Sequence, residues 1–267
     1  MPELPEVETI KRELEKAVLG KKITKVSVIN PKVIKEPSPK EFQKEIAGAT
    51  IKNILRKAKL LIIELSNGKF LAIHLKMTGQ LIYPGKGSKL TRVIFSLSSG
   101  KDLDFNDGRL FAELRLVDDW QKLKFIQSLG PEPFDLSCEH FKKMLASKKT
   151  KIKPLLLDQT FISGVGNIYA NEALFRAKIN PGRPANSLSQ KEKELLFNEL
   201  KETLKEAIAH KGSSVDQYVQ LSGEDGGYAK YHKVYDREKK PCLKCKIPIQ
   251  RISLGGRGTY FCPHCQA

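Results

Sequence analysis

Apolar residues at Val7, Ile10, Leu14 and Ala17/Val18 recur with the spacing of one helix face, and Gly20 closes that run. The period then changes. Ile23–Ile29 alternates as a strand, and Pro31, Pro37 and Pro39 mark a loop. Thr50–Leu65, Lys69–Tyr83 and Arg92–Leu97 read as strands, with turns at Asn67-Gly68, Gly85–Ser88 and Ser99-Gly100. Asp102–Val117 continues as strand around a loop near Asp107-Gly108. Residues 1–118 are therefore expected to form an antiparallel sheet system, sandwich or barrel, with flanking helices. From Asp119 the period is helical, over Asp119–Leu129, Ser137–Ala146, the short Ile152–Asp158, Asn167–Ala177, Ser189–His210 and Ser213–Leu221. Residues 119–222 are expected to be all helical. A glycine- and charge-rich loop, Gly223–Lys240, leads into a compact cysteine module, so 223–267 forms a third unit.

Charge narrows the function. The 267 residues carry 47 Lys and Arg against 30 Asp and Glu, a net charge of +17. That balance points to a polyanion, nucleic acid or an acidic membrane surface; a lysine-rich proteome is the plain alternative. No run of eighteen apolar residues is present, so no membrane span is expected. The N-terminus lacks a basic segment followed by an apolar core, which argues against a secretory signal and for the cytosol. Thiols stay reduced there, so the five cysteines read as metal ligands or free thiols rather than disulfides.

The cysteine spacing is the sharpest local signal. Cys242-x-x-Cys245 and Cys262-x-x-Cys265 stand sixteen residues apart (246–261), within the range of a four-cysteine zinc site. Ile247–Ser253 and Thr259–Phe261 alternate like a hairpin, with Gly255-Gly256-Arg257-Gly258 at its tip. So small a hairpin needs one structural zinc ion to fold. His264 is the weaker alternative ligand, and Cys138 is left over as an ordinary thiol. Arg257, flanked by glycines, is either a phosphate ligand or a solvated arginine.

The chain opens Met1-Pro2-Glu3-Leu4-Pro5-Glu6-Val7-Glu8. Removal of Met1 by an aminopeptidase would leave Pro2 as a free secondary amine. An α-amino group titrates roughly two to three units below lysine, so much of it is nucleophilic near neutral pH. Such amines attack aldehyde-level carbon and form imines. Glu3 and Glu6 follow within reach for acid–base work. The bland reading is a helix start, with Pro5 in its first turn and glutamates matched to its positive end.

Other candidates are weaker alone. Ser163-Gly164-Val165-Gly166-Asn167 precedes a helix whose N–H groups suit a phosphate, and Asn167 is either a cap or a phosphate ligand. Lys59 ends the basic run Arg56-Lys57-Ala58-Lys59 at the start of an apolar strand. His74, Lys76 and Met77 lie at a strand end before Thr78-Gly79; Arg109 and Phe111 follow Asp107-Gly108. Met and Phe on loops can wedge into a base stack and Arg can take a vacated pairing position, although Met77 and Phe111 in isolation are more often core.

In this order the motifs resemble the formamidopyrimidine-DNA glycosylase family, over nearly the whole chain. The resemblance rests on Pro2–Thr9, Ala58-Lys59, His74-Leu75 with Met77 and Gly79, Leu129–Pro133, Lys153–Gln159 running to Gly164–Ala170, and Gly255–Cys265. It implies an α+β multidomain fold: an N-terminal β-sandwich, a helix–two-turn–helix domain and a zinc finger. It implies excision of oxidised purines from double-stranded DNA, cleavage at abasic sites, and no nucleotide cofactor. Pro2 would attack C1′, Glu3 would serve as acid–base group, and Glu6 would support the site and its water. Lys59 would contact phosphate and lesion. Asn167 and Arg257 would pinch the backbone phosphates, with His74 and Lys153 also at DNA. Met77, Arg109 and Phe111 would fill the hole left in the duplex, Arg109 facing the orphaned cytosine. A bacterial cytoplasmic, nucleoid-associated monomer is expected.

Departures from the family pattern bear on lesion range: Lys76 and Ala112 stand where glycine is usual, Leu110 replaces a basic residue, and Gly226-Gly227-Tyr228 leads into an unusual Ala229-Lys230-Tyr231-His232. Three rivals are endonuclease VIII-like excision of oxidised pyrimidines, damage binding without chemistry, and an RNA-binding zinc ribbon. Leu4, where the endonuclease VIII group usually has glycine, argues against the first. The N-terminal Pro-Glu-x-x-Glu set argues against the others.

Overall fold

In a computed structural model, which describes residues 1–266, the chain folds as two compact units. The first takes residues 1–127 together with 210–229, and the second takes 128–209 together with 230 onward. The element order is α1 (Leu4–Val18), β1 (Ile23–Val28), β2 (Ile34–Glu36), α2 (Pro39–Ile46), β3 (Ile51–Lys57), β4 (Leu60–Leu65), β5 (Phe70–His74), β6 (Gly79–Ile82), β7 (Thr91–Leu97), β8 (Asp102–Asp107), β9 (Glu113–Val117), a one-turn α3 (Lys124–Gln127), α4 (Cys138–Ala146), α5 (Ile152–Leu157), α6 (Asn167–Arg176), α7 (Gln190–Ala209), β10 (Gln250–Leu254) and β11 (Arg257–Phe261).

The first unit is a sandwich of two sheets, ordered β1-β7-β8-β6 and β2-β9-β5-β4-β3. All pairings are antiparallel except β2 with β9. Alternation produces this: in β7, inward Thr91, Val93, Phe95 and Leu97 are buried while Arg92, Ile94 and Ser96 are half-buried. One apolar core joins Val7, Ile10 and Leu14 of α1 to Ile54, Ile63, Ile73, Phe95, Phe105 and Leu114 of the strands. Helix α1 lies against β3 and β4.

The second unit is helical around α7, which packs on α4 and α6. Leu196, Leu200 and Leu204 of α7 are buried, and Phe197 meets Phe141 at a ring distance of 5.4 Å. Its end carries the β10–β11 hairpin, with Phe175, Val234, Ile249, Cys242 and Cys262 as a small separate core.

The pattern misplaces some pieces. Residues 31–39 are not simply loop: β2 lies there, and α2 begins at Pro39. Ser38 caps α2, its N–H bonded to the Glu41 carboxylate (3.1 Å) and its Oγ accepting from Glu41 N (3.4 Å), while Phe42 and Ile46 are buried beneath. The stretch expected as one strand over 50–65 breaks at Ala58, which takes φ +51°, and 69–83 breaks at 75–78. Asp119–Leu129 holds only a short 3₁₀ turn and the single turn α3. Ser213–Leu221 is not a helix. Its amides are taken by carboxylates of α1: Ser213 N donates to Glu6 (2.9 Å) and Leu221 N to Glu13 (2.8 Å). Local propensity gives way to these long-range partners.

Candidate active site and nucleic-acid interface

The predicted site residues divide between the units. Pro2, Glu3, Glu6, Lys59, His74, Met77, Arg109 and Phe111 lie in the first; Lys153, Asn167, Arg257 and the four cysteines lie in the second.

Pro2 is buried immediately before α1, and Met1 is 39% exposed. Glu3 and Glu6 are both buried, at 3% and 1% exposure. Glu6 accepts from Glu3 N at 2.7 Å and from Ser213 N at 2.9 Å, so one carboxylate ties the helix start to the returning chain. Gly212 makes this approach possible. It takes φ +79°, and a Cβ there would lie 2.9 Å from Glu6 Oε1 and 2.9 Å from Tyr218 Cε1. The Tyr218 hydroxyl donates to Lys211 O at 2.9 Å, and burial together with Glu6 and Glu13 pushes its phenol well above the ordinary range. Gly212, Ser213 and Tyr218 escaped the sequence reading, since nothing local links position 213 to position 6.

Lys59 is buried at 7% exposure, second residue of the two-residue turn joining β3 to β4. The turn is fastened from α1. Arg56 donates to Glu8 Oε2 at 2.9 Å and to Ala58 O at 3.0 Å. Burial alone would raise the Glu8 carboxyl, but Arg56 and Arg12 outweigh it and hold it below its ordinary value. Helix α1 thus positions both its own N-terminal groups and the turn bearing Lys59.

His74 closes β5 beside that turn, paired with Leu60. Burial, reinforced by Lys76 and Lys59, pushes its imidazole down to about 4. Its Nδ1 accepts from Lys76 N at 3.1 Å, which leaves Nε2 as the N–H donor of the neutral ring. Lys76 takes φ +51° and is held by Glu113 at 3.1 Å. Met77 follows, half-buried. Phe111 is 52% exposed, not core, and the Arg109 guanidinium sits 4.7 Å from its ring centre.

In the second unit Asn167 is the first residue of α6, and Gly166 occupies the cap position. The Asn167 side chain does not cap; its Nδ2 donates to Gly258 O at 3.1 Å. Lys153, fully buried, donates to the same carbonyl at 2.9 Å and to Thr259 Oγ1 at 2.8 Å. Asn171 Oδ1 accepts from Tyr260 N at 2.9 Å. The hairpin turn is Gly255-Gly256, with φ +60° and +71°, as a tight two-residue turn requires. Arg257 opens β11 beside it, exposed. Buried Lys153 and half-buried Asn167 thus fix the strand next to Arg257. Glu172, fully buried, accepts from the amides of Lys233 (2.8 Å), Val234 (3.0 Å) and Tyr235 (2.9 Å) and so anchors the approach to the cysteine module.

The sulfurs of Cys242, Cys245, Cys262 and Cys265 all lie within 4.8 Å of one another. Cys242 and Cys265 are 4.0 Å apart, and Cys245 and Cys262 3.4 Å. A tetrahedral zinc with Zn–S of about 2.3 Å sets sulfurs about 3.8 Å apart, so the set fits one ion. Lys244 N and Cys265 N donate to Cys242 and Cys262 sulfurs, each at 3.4 Å. Burial and the three neighbouring sulfurs push the Cys265 thiol up, the crowding that a divalent cation relieves. The zinc finger holds one structural Zn²⁺ on these cysteines.

A proline-led helix on a β-sandwich, a helical unit and a four-cysteine hairpin define the helix–two-turn–helix class with a terminal zinc finger. The chain belongs to the formamidopyrimidine-DNA glycosylase family: models of that enzyme's N-terminal domain match residues 1–114, of its H2TH domain 129–219, and of the zinc finger found in FPG and IleRS 239–267. It is 45% identical over 273 residues to the formamidopyrimidine-DNA glycosylase of Pelotomaculum thermopropionicum, covering 100% of this chain and 99% of that one. Among solved structures, the Thermus thermophilus MutM (Fpg) protein is 39% identical with a TM-score of 0.89, covering 99% and 98% of the two chains. The Lactococcus lactis Fpg bound to abasic-site DNA is 35% identical with a TM-score of 0.91, covering 99% of each.

Proposed function

We propose that the protein is a bifunctional DNA glycosylase and abasic-site lyase of base excision repair, acting on oxidised purines in double-stranded DNA. The observation that carries this reading is the buried Pro2-Glu3-x-x-Glu6 start of α1, in a family of named DNA glycosylases. Glu6 also serves the helix start through its bonds from Glu3 N and Ser213 N, but two buried carboxylates clustered beside the chain's first imino acid are the arrangement that functional sites favour.

The chemistry follows from these groups once Met1 is removed. The Pro2 nitrogen donates its lone pair to C1′ of a flipped nucleotide. The glycosidic pair leaves on the purine, which takes up a proton. Glu3 protonates O4′ as the sugar opens to an iminium on Pro2. The iminium acidifies C2′; loss of that proton expels the 3′ phosphate, and a second elimination expels the 5′ phosphate. Water then hydrolyses the imine and frees Pro2. Glu6 holds the helix start, and Lys59 and the His74 Nε2–H meet the lesion strand. Arg257 and Asn167 clamp its phosphates, Lys153 and the zinc supporting the tip. Met77, Arg109 and Phe111 occupy the vacated duplex position, which offsets part of the few kcal/mol that flipping costs. Residues 1–118, 119–222 and 223–267 divide this work as catalytic, helix–two-turn–helix and lesion-loop/zinc parts. A cytoplasmic, nucleoid-bound monomer suits such a task.

The test mixes Met1-processed protein with a duplex carrying 8-oxoguanine opposite cytosine, at low salt, in the presence of borohydride. A covalent adduct that Pro2→Gly abolishes is expected. No adduct, with mass spectrometry confirming Met1 removal, sinks the lyase reading. Preferential excision of thymine glycol replaces it by the endonuclease VIII-like one.

A further inference from the structure

The wedge residues sit on two separate turns. Residues 75–78 carry Met77 from β5 in one sheet to β6 in the other, and residues 108–112 carry Arg109 and Phe111 from β8 back to β9. Strands β6 and β8 pair with Gly79 opposite Asp107, so the turns emerge side by side. Asp107 is fully buried, and both turns close on its carboxylate. Oδ1 accepts from the Thr78 hydroxyl of the first turn and from Arg109 N of the second, the latter at 3.1 Å. Oδ2 accepts from Ala112 N at 2.8 Å. Arg109 N also lies 3.2 Å from Thr78 Oγ1. The two amides bracket Leu110, held at φ +59°, and the exposed Phe111. The backbone of Asp107 is tied as well, its carbonyl accepting from Arg92 Nε at 2.8 Å. Gly79 permits the close approach, since a Cβ there would lie 2.6 Å from Leu75 O and 3.0 Å from the Ala112 Cβ.

We propose that Asp107, acting through Thr78, is the positioning residue that fixes the Met77 turn against the Arg109–Phe111 turn, so that both wedges enter the duplex in one registered step. The inference rests on the reading of these three residues as duplex fillers. Filling succeeds only if the side chains arrive at the correct separation, and a loop pair free to drift would present them one at a time. The Thr78 hydroxyl spans the turns, donating to Asp107 and accepting from Arg109 N; the bonds that Asp107 accepts from Arg109 N and Ala112 N shape the second turn. Thr78→Val removes both of these hydroxyl bonds at constant shape and leaves Arg109 N and Ala112 N their Asp107 acceptor.

The experiment compares the parent, Thr78→Val and Thr78→Ser on three substrates: an 8-oxoguanine duplex with cytosine opposite, the same duplex with adenine opposite, and a single-stranded oligonucleotide with a preformed abasic site. The last needs imine chemistry but offers no duplex hole to fill. For Thr78→Val, excision from the cytosine duplex is expected to fall about tenfold, as loss of the Thr78 hydroxyl's part-buried bond to Asp107 and its bond from Arg109 N at a preorganised site allows. The ratio of cytosine to adenine duplex rates should shrink, while borohydride trapping on the single strand stays within about twofold and Thr78→Ser restores parental values. Asp107→Asn, which turns one acceptor into a donor, should show the same selective loss. Parental duplex rates in Thr78→Val, or equal losses on duplex and single strand, would overturn the proposal. A parent that traps no substrate at all instead refutes the function on which it rests.

Discussion

Gly212→Ala is the substitution whose effect the structure constrains most closely. Two terms add. Alanine at φ +79° lies in the left-handed region, where a side chain costs roughly 1–2 kcal/mol. The new Cβ would also sit 2.9 Å from Glu6 Oε1 and 3.0 Å from Glu6 Cγ, both buried, so the carboxylate must move and its bond from Ser213 N is strained or lost. A hydrogen bond to a charged group contributes roughly 1.5–3 kcal/mol. The sum is about 2.5–5 kcal/mol, which lowers the melting temperature of the first unit by roughly 5–20 °C. Gly20→Ala is the matched control: φ is +77° and nothing lies within 4 Å, so it meets only the backbone term. The assay is thermal unfolding of parent and both variants, with borohydride trapping alongside. Gly212→Ala should melt well below Gly20→Ala and lose trapping even where it remains folded, since Glu6 also holds Glu3 N. Equal melting of the two glycine variants would refute the collision argument, and undiminished trapping would separate Glu6 from the chemistry.

Two more expectations follow from titration and metal. His74 is held near 4 against an ordinary value of 6.5. The unfolded chain therefore takes the proton first: this contribution to stability is complete above about pH 6.5 and is lost as pH falls toward 4, at most about 3 kcal/mol. His74→Asn, which retains an acceptor for Lys76 N, should flatten the melting temperature between pH 7 and 4.5; parallel curves for parent and variant would disprove it. Stripping zinc with a chelator should unfold the β10–β11 hairpin and weaken duplex binding while the sandwich melts unchanged. Amide exchange reads this, and retained hairpin protection in zinc-free protein would contradict it.

Legibility followed the range of the interactions. Helix α1, the strand-rich first unit, α4 through α7 and the zinc hairpin were readable because periodicity, caps and CxxC spacing are local. Ser38-Pro39-x-Glu41 was also a readable helix signal, obscured by the three prolines around it. Ser213–Leu221 read as helix because its partners, Glu6 and Glu13, lie some two hundred residues away in the chain. The same distance hid Gly212. Asn167 offered two local readings, and a third came from the hairpin: its side chain reaches Gly258. Asp107 looked like turn punctuation because its Thr78 partner lies on a different connection. Phe111 in isolation looked like core, whereas its place after Asp107-Gly108 and the family resemblance made it a wedge; the structure has it exposed, stacked with Arg109.

The return of residues 210–229 to the first unit has a consequence for synthesis. The chain leaves the ribosome with Pro2 among its first residues, yet the amide that Glu6 accepts belongs to Ser213 and arrives only after the sandwich strands and the whole of α7. Helix α1 has its β3 and β4 partners early, but the bond from Ser213 N to Glu6 can form only once residue 213 has been made, and in the folded protein Pro2 is buried. The chain's first residues are made first, and part of their surroundings is assembled last.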